Sequence, residues 1–369
     1  MTSTDIGVID RNMVAEAVNE PDLALYDVRK PPFRIYGLYD PQNEPVFKRI
    51  PTNVAEKTSA GVVALHTHTA GGRVRFSTDS PYVVIKAVLP NISQSIKMPL
   101  TCSCGFDLYA DTPDGTDSFY VGTFIPPTLP KDGYTAKLVL DGVPAGMRTL
   151  TINFPLYTEV AALYVGIAKD ARLEEGAPYR TAAPIVFYGS SITQGGCASR
   201  PGNAYTAQVA RRLGMDHINL GFSGNGKAED AIVAYMASLD MAVFVSDYDH
   251  NAPDVAYLEK THCKMYQAIR EKHPDVPYIM LSKPNYYSYQ RPLAGTLKNR
   301  ARRAVILDTF QYALAQGDEN VYFIDGERLL PNDACTVDAL HPNDLGFYFM
   351  AETVYNTLLQ IKRIGKLKI

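Results

Sequence analysis

The segment PIVFYGSSITQGG (184–196) decides the fold of the second half of this 369-residue chain. A compact apolar run leads into a turn rich in glycine and serine, which is typical of a buried parallel strand followed by a helix. Similar apolar runs follow at HINLGF, MAVFVSD, PYIML and VYFID, and helical patterns lie between them. This alternation predicts right-handed crossovers and an α/β fold with a doubly wound parallel sheet.

The first half has a different pattern, in which short alternating or apolar runs are separated by turns that contain glycine and proline. Such spacing predicts an all-β sandwich, here with strands at 61–69, 73–78, 82–88, 118–124, 136–140, 149–154 and 162–168. The polar stretch 169–184 has no apolar period and is the predicted linker. We therefore predict an accessory β-sandwich domain over residues 1–175 and an α/β catalytic domain over residues 183–369.

Composition and charge exclude several classes of partner. The 36 basic and 39 acidic residues give a net charge of −3, and no long basic run is present, so neither nucleic acid nor an anionic membrane is the expected partner. Residues 1–12 lack the basic and apolar regions of a signal peptide, and the five cysteines are scattered. These features predict a cytoplasmic location, whereas nothing in the sequence indicates an oligomeric state.

Polar segments follow the predicted strands at one edge of the sheet. They are GSSIT (189–193), GFSGNG (221–226) and DYDHNA (247–252), and the last strand is followed by DALHP (338–342). Ligands of doubly wound sheets bind in the crevice beyond the carboxyl ends of the strands. We therefore expect these four segments to converge on one site.

The residue types in these segments match the requirements of acyl transfer. Ser191 is the predicted nucleophile, His341 the base, and Asp338 the acid that orients the base. The backbone N–H groups of Ser191 and Gly224, with the side-chain amide of Asn251, are the predicted oxyanion donors. Any one of these residues could be only a helix cap, a turn glycine or a solvated pair. Their order and placement together indicate a serine esterase that needs no cofactor.

Four further residues are predicted to contact the substrate. Asp249 and His250 precede Asn251 directly, and Tyr286 and Tyr287 follow a predicted strand, where their rings could stack on a sugar or an acyl group. His250 is also a second candidate for the general base. We rank it below His341 because no acid has an obvious place to orient it.

Two alternatives remain open. The first is a phosphate-loop nucleotide hydrolase, because residues 221–227 fit G-x-x-x-x-G-K and Asp247 could hold magnesium; however, Ala228 stands where that motif has a hydroxyl. The second is a carbohydrate-binding protein with an inactive site. No metal is expected, since His66 and His68 lack an evident third ligand.

The segments FYGSSITQG, NLGFSGNG, DHNA and DALHP resemble the four sequence blocks of the SGNH (GDSL-type) hydrolase superfamily. The resemblance implies a flavodoxin-like sheet and metal-free ester hydrolysis by Ser191, His341 and Asp338, with Gly224 and Asn251 as oxyanion donors. Ser190 stands where the family usually has aspartate. The third block also departs from the usual Gly-x-Asn-Asp.

The segment GFDLY (105–109) resembles the signature of a β-rich domain that precedes the catalytic domain in some bacterial members. This branch is often linked with acylated carbohydrates. The resemblance therefore implies a small-molecule ester as substrate, with a short acyl group on a carbohydrate or another small alcohol.

Overall fold

The computed structural model describes residue 10 and residues 18–92, 95–127, 130–286 and 293–368. The strands of the first half are β1 (Leu23–Asp27), β2 (Arg34–Tyr36), β3 (Arg73–Thr78), β4 (Tyr82–Val88), β5 (Phe106–Asp111), β6 (Ser118–Phe124), β7 (Gly133–Val139), β8 (Arg148–Asn153), β9 (Ala162–Ala168) and β10 (Leu173–Glu175). They pair antiparallel in two sheets, one with the order β1-β9-β4-β7 and the other with the order β10-β3-β8-β5-β6, where β2 pairs with β3.

The two antiparallel sheets enclose one hydrophobic core. Ile85 and Val165 from one sheet and Phe76 and Leu108 from the other are fully buried in it. Side chains alternate across each strand, so every second residue faces the opposite sheet. The predicted β-sandwich is confirmed.

One predicted strand is wrong. Residues 61–69 were expected to be extended, whereas the structure has helices α1 (Thr52–Thr58) and α2 (Ala60–Leu65) in this region, with a short α3 (Leu100–Ser103) later. Ser59 caps α2 by accepting a hydrogen bond from the backbone N–H of Val62. Val62 is buried against the second half of the chain. The cap and this tertiary burial outweigh the β preference of the two valines.

The second half alternates strands and helices as predicted. The elements are β11 (Ile185–Gly189), α4 (Ser191–Gln194), α5 (Tyr205–Leu213), β12 (His217–Gly221), α6 (Asp230–Ala237), β13 (Val243–Asp247), α7 (Val255–Lys272), β14 (Tyr278–Leu281), α8 (Leu293–Ala315), β15 (Val321–Ile324) and α9 (Asp344–Arg363). The strands are parallel in the order β12-β11-β13-β14-β15. This order is flavodoxin-like, which confirms the predicted fold class. None of the helices within the described ranges is long and apolar enough to cross a membrane.

The first half contributes side chains to both hydrophobic cores of the second half. Cys102 and Leu156 from the first half are buried in the cluster that covers one face of the parallel sheet. On the other face, Ile50, Ala55 and Val62 join the second cluster. The division at residues 175 and 183 stays a prediction about sequence organisation, because buried side chains of the first half cross it into the cores of the second half.

The GFDLY segment joins the halves through polar contacts. Asp107 on β5 is completely buried, and its carboxylate accepts hydrogen bonds from Arg200 Nη1 and the Gly202 backbone N–H, both at 2.8 Å. Asn153 Nδ2 donates to the other carboxylate oxygen at 2.7 Å. The hydroxyl of Tyr109 also accepts from Arg200. A buried carboxylate that accepts from one charged and two neutral donors links those donors specifically. Here it holds the sandwich to the loop that follows α4.

Candidate active site

Ser191 lies at a tight turn between β11 and α4. The strand ends at Gly189, which pairs with Gly221 and Asp247 on the neighbouring strands, so the turn is at the carboxyl edge of the sheet. A Cβ on Gly189 would lie 2.3 Å from the Asp247 carbonyl oxygen, so only glycine fits there. Ser190 caps α4 by accepting a hydrogen bond from the Ile192 N–H at 3.0 Å. The turn leaves Ser191 8% exposed.

His341 and Asp338 meet Ser191 from the loop before α9. Ser191 Oγ is 3.0 Å from His341 Nε2, and His341 Nδ1 is 2.9 Å from Asp338 Oδ2. A carboxylate can only accept, so Nδ1 carries the proton and Nε2 is left to accept the Ser191 hydroxyl proton. The structure thus brings the three predicted catalytic residues into one hydrogen-bonded chain.

Besides His341 Nδ1, three other donors hold the Asp338 carboxylate. One carboxylate oxygen accepts from the backbone N–H groups of Leu340 (3.1 Å) and His341 (2.8 Å), and the other accepts from Lys97 Nζ at 2.7 Å. Burial raises the pKa of Asp338, but the His341 N–H, Lys97 and the imidazole together outweigh it, so the pKa lies well below its usual range. Asp338 therefore stays ionised in mildly acidic solution.

Lys97 comes from the first half of the chain, and no feature of the sequence pointed to it. Its side chain is half exposed, and exposed ion pairs contribute little. We expect Lys97→Met to lower kcat/KM by no more than about 5-fold, because a solvent-exposed ion pair contributes little. Steady-state kinetics on a soluble ester would measure this. A loss beyond about 30-fold would mean that Lys97 takes part in catalysis itself.

The predicted oxyanion donors belong to three turns at the carboxyl edge of the sheet. Among the described residues, no protein acceptor takes the backbone N–H of Ser191 or of Gly224. Gly224 has φ +68°, and a Cβ built on it would meet no atom within 4 Å, so this turn borders open space. Asn251 Nδ2 donates to the Phe222 carbonyl oxygen at 3.2 Å, which leaves its second proton unused. These N–H groups are therefore available to a ligand.

The first half of the chain also supports this edge of the sheet. Tyr157 donates from its hydroxyl to the Ser191 carbonyl oxygen at 3.3 Å. The guanidinium of Arg49, a buried residue of the first half, donates to the carbonyl oxygens of Asn219 and Gly221 at the end of β12. The turns that carry Ser191 and Gly224 are thus fixed from the sandwich side.

His250 has an acid partner, contrary to the sequence-based expectation. Asp249 Oδ1 lies 3.0 Å from His250 Nδ1, and His250 Nε2 lies 2.7 Å from Ser190 Oγ. The imidazole therefore reaches the serine beside the nucleophile and makes no described contact with Ser191. The two residues are adjacent in the turn Asp249–Asn251, and its 3₁₀ geometry brings their side chains together.

Comparison with known proteins identifies the family of this chain. Residues 182–360 match the GDSL-like lipase/acylhydrolase family, and residues 23–173 match the GxDLY domain, the N-terminus of SGNH-hydrolase-type esterases. The chain belongs to the SGNH (GDSL-like) hydrolases. The predicted family is confirmed, and so is the enzyme class, a serine esterase.

Solved structures resemble this SGNH esterase over nearly its whole length. A GDSL-like lipase from Bacteroides ovatus is 29% identical and has a TM-score of 0.82, with 94% of this chain and 99% of that chain covered. The salicylyl-acyltransferase SsfX3 from a tetracycline biosynthetic pathway is 20% identical, with a TM-score of 0.75 and coverage of 93% and 99%. A family two carbohydrate esterase from Clostridium thermocellum, in complex with cellohexaose, is 16% identical, with a TM-score of 0.58 and coverage of 91% and 100%. The last two show the shared fold alone. No curated protein matches the sequence significantly.

The structure of this esterase describes three of the four residues that were predicted to contact the substrate. Asp249 is 1% exposed, and its carboxylate is held by His250 and the Lys283 backbone N–H. Tyr286 is 8% exposed and belongs to the hydrophobic core, which leaves little of its ring for a ligand. Tyr287 lies outside the described residues. A substrate contact by His250 stays a prediction, and the structure gives its ring another partner.

The glycine loop 221–227 of the esterase does not have the surroundings of a phosphate-binding loop. A Cβ on Gly226 would lie 2.1 Å from the Gly189 carbonyl oxygen, so the loop packs on the nucleophile turn. The next helix begins only at Asp230. Asp247 is fully buried and accepts a hydrogen bond from Thr193 Oγ1 at 3.1 Å. Burial raises the pKa of Asp247 well above its usual value, so this group is a poor ligand for magnesium.

A cavity of about 100 Å³ lies between the halves, at the amino end of β12 and away from Ser191. Arg73, Arg75, Tyr179 and His217 are among its lining residues. Both arginines are already paired with carboxylates inside the protein. None of the predicted site residues lines this cavity.

Proposed function

We propose that this SGNH esterase hydrolyses esters through an acyl-enzyme on Ser191, with His341 as general base and acid and Asp338 as its orienting carboxylate. The observation that carries the proposal is the unbroken chain from Ser191 Oγ through both nitrogens of His341 to Asp338, with distances of 3.0 and 2.9 Å. Nucleophile, base and acid in this order have the geometry of acyl-transfer enzymes on unrelated folds.

In the first step, Ser191 Oγ attacks the acyl carbon while His341 Nε2 takes the hydroxyl proton. The ester carbonyl oxygen becomes an oxyanion, which the N–H groups of Ser191 and Gly224 and the Asn251 amide stabilise. When the tetrahedral intermediate collapses, His341 gives the proton to the leaving alcohol oxygen. The acyl group is then covalently bound to Ser191.

In the second step, water takes the place of the alcohol. His341 Nε2 removes a proton from the water, and the resulting oxygen attacks the acyl carbon. Collapse releases the carboxylic acid and returns the proton to Ser191 Oγ. Throughout the cycle Asp338 keeps the imidazole in one tautomer and stabilises its charged form.

We further propose a short acyl group on a carbohydrate as the substrate class. Two observations support it. Ser191 is only 8% exposed, so little of the nucleophile is open to a bulky acyl group. The second observation is that esterases of this architecture include a carbohydrate esterase bound to cellohexaose.

Active-site labelling and a substrate panel test both parts. A fluorophosphonate should modify the protein once, and tandem mass spectrometry should place the adduct on Ser191 rather than on the adjacent Ser190. Among para-nitrophenyl esters, acetate should be preferred to octanoate, and acetylated oligosaccharides should release acetate. An adduct on Ser190 would overturn the mechanism. A preference for long acyl chains would overturn the substrate class, and magnesium-dependent ATP hydrolysis without esterase activity would favour the nucleotide hydrolase.

A further inference from the structure

Ser190, the residue before the nucleophile, is the end of a second hydrogen-bonded chain. Its Oγ is 3.0 Å from the Ile192 N and 2.7 Å from His250 Nε2, and His250 Nδ1 is 3.0 Å from Asp249 Oδ1. Ser190 is completely buried, and Asp249 is 1% exposed. The chain repeats the serine, histidine and aspartate order of the active site, but its serine cannot reach a substrate.

The proton positions in this chain follow from its partners. Burial acts to raise the pKa of Asp249, but the hydrogen bonds from His250 and from the Lys283 backbone N–H outweigh it, so the pKa is lowered. The ionised carboxylate accepts from His250 Nδ1, which leaves Nε2 as an acceptor for the Ser190 hydroxyl. Since the hydroxyl proton points to His250, a Ser190 lone pair is directed at the Ile192 N–H. Every polar group of the chain is then satisfied.

This chain connects two turns that carry oxyanion donors. Ser190 precedes Ser191, and its own N–H donates to the Asp247 carbonyl oxygen at 3.1 Å. His250 precedes Asn251 in the turn Asp249–Asn251. The bond between Ser190 and His250 therefore fixes the distance between the Ser191 N–H and the Asn251 amide.

The second turn is itself firmly held. Arg302 on α8 is 3% exposed, and its guanidinium donates to the backbone carbonyl oxygens of Asp249 and Ala252. The Asn251 N–H donates to the Tyr248 carbonyl oxygen at 2.9 Å. A rigid turn can transmit position, so a bond from His250 to Ser190 can align the nucleophile turn with it.

We propose that Asp249, His250 and Ser190 form a positioning chain that sets the oxyanion donors of Ser191 and Asn251 in register. This inference rests on the proposed function of Ser191. It makes His250 and Asp249 positioning residues, because neither touches the reacting atoms. It also gives the Ser190 hydroxyl two tasks, capping α4 and joining the two turns.

The same side chains could be taken for a metal site. Ligand atoms of Asp247, Asp249 and His250 lie within 4.8 Å of one another. Both nitrogens of His250 already have partners, however, and a cation would have to break the bond to Asp249. A positioning chain accounts for these contacts without an ion.

The test is His250→Gln, assayed on para-nitrophenyl acetate. We expect kcat to fall about 10- to 100-fold with KM within about 3-fold, because a misplaced oxyanion donor affects the transition state and leaves ground-state binding unchanged. The affinity of a boronic acid that mimics the tetrahedral intermediate should fall by the same factor as kcat. If His250 contributed only to stability, the kcat of the folded enzyme and its affinity for the boronic acid would both stay unchanged. The isosteric Asp249→Asn should also lower kcat. It replaces His250→Gln as the test if His250→Gln does not fold.

A double-mutant cycle adds a second criterion. If His250 acts through the position of Asn251, then His250→Gln should cost no more than about 3-fold in an Asn251→Ala background, because interacting sites are not additive. With Lys97→Met, which acts through Asp338, the effects of the His250 and Lys97 substitutions should multiply. Independent effects of His250 and Asn251 would overturn the proposal.

Three other outcomes would also overturn it. They are kcat within 2-fold of the unmodified enzyme in both His250→Gln and Asp249→Asn, a loss as large as that of His341 variants, and a loss on EDTA treatment that a divalent cation restores. The first would leave His250 without a role, the second would make it a base, and the third would indicate a metal. If instead Ser191→Ala remained active, the proposed function would fail first, whatever His250 variants do.

Discussion

Replacing Ser191 with alanine is expected to lower kcat by about 10⁴-fold or more, since loss of a serine nucleophile removes the acyl-enzyme route entirely. KM or the binding of a product should change little, because the hydroxyl is a small part of the contact surface. The activity that remains would come from the oxyanion donors acting on a bound water. Steady-state kinetics on para-nitrophenyl acetate, with circular dichroism to check the fold, would measure the loss.

The adjacent serine is the matched control. Ser190→Ala removes a hydroxyl one residue away, and it deletes the cap of α4 and the bond to His250. We expect a smaller loss, about 10- to 100-fold, because Ser190 acts on position and Ser191 on chemistry. Activity above about 1% in Ser191→Ala, or an equal loss in both variants, would contradict the assignment of Ser191.

Replacing His341 with glutamine is expected to lower kcat by about 10⁴-fold, because Ser191 then has no base and the leaving alcohol has no acid. Glutamine is close in size and can keep a hydrogen bond to Ser191, so the loss would report proton transfer more than packing. The burst of alcohol release that marks acyl-enzyme formation should disappear as well. Stopped-flow measurement of para-nitrophenol release would test this.

Another histidine serves as a control for this variant. His273 lies at the end of α7, and its ring nitrogen Nε2 contacts the Ala237 carbonyl oxygen. His273→Gln should keep kcat within about 2-fold, as expected for a substitution far from the reacting atoms. If His341→Gln kept more than about one tenth of the activity, another group would have to be the base.

Sequence reasoning was sufficient where a short motif coincides with a strong local pattern. The nucleophile turn after Gly189 and the glycine loop at Gly224 each follow a buried strand, and parallel strands place their carboxyl ends at one edge. The positions of Ser191, Asn251 and His341 near this edge follow from that topology. Their catalytic roles still depend on the experiments above.

The contacts between the halves could not be predicted. Lys97 reaches Asp338 across 241 positions of sequence, and the pairing exists only because the sandwich lies against the second half. The GFDLY motif is recognisable in the sequence, but no sequence pattern indicates that Arg200 and Gly202 are its partners. The predicted strand at 61–69 is wrong for a related reason. The surface against which the observed helix is buried belongs to the other half of the chain.

The acid beside His250 was missed for a local reason. Neighbouring side chains in an extended or helical segment point apart, so Asp249 was not expected to orient the next residue. The turn Asp249–Asn251 is a single short 3₁₀ turn, and in it the two side chains come within hydrogen-bonding distance. Such turns are not visible in a sequence pattern.

The buried side chains that cross between the halves have a consequence for modularity. Tyr157 supports the carbonyl of the nucleophile, and Arg49 supports the end of β12, so the first half supplies structural parts of the active site. A hydrolase half transplanted without its sandwich would expose apolar surface and lose these supports at once. An unrelated binding module put in place of the sandwich would therefore have to rebuild these contacts before it could support the hydrolase half.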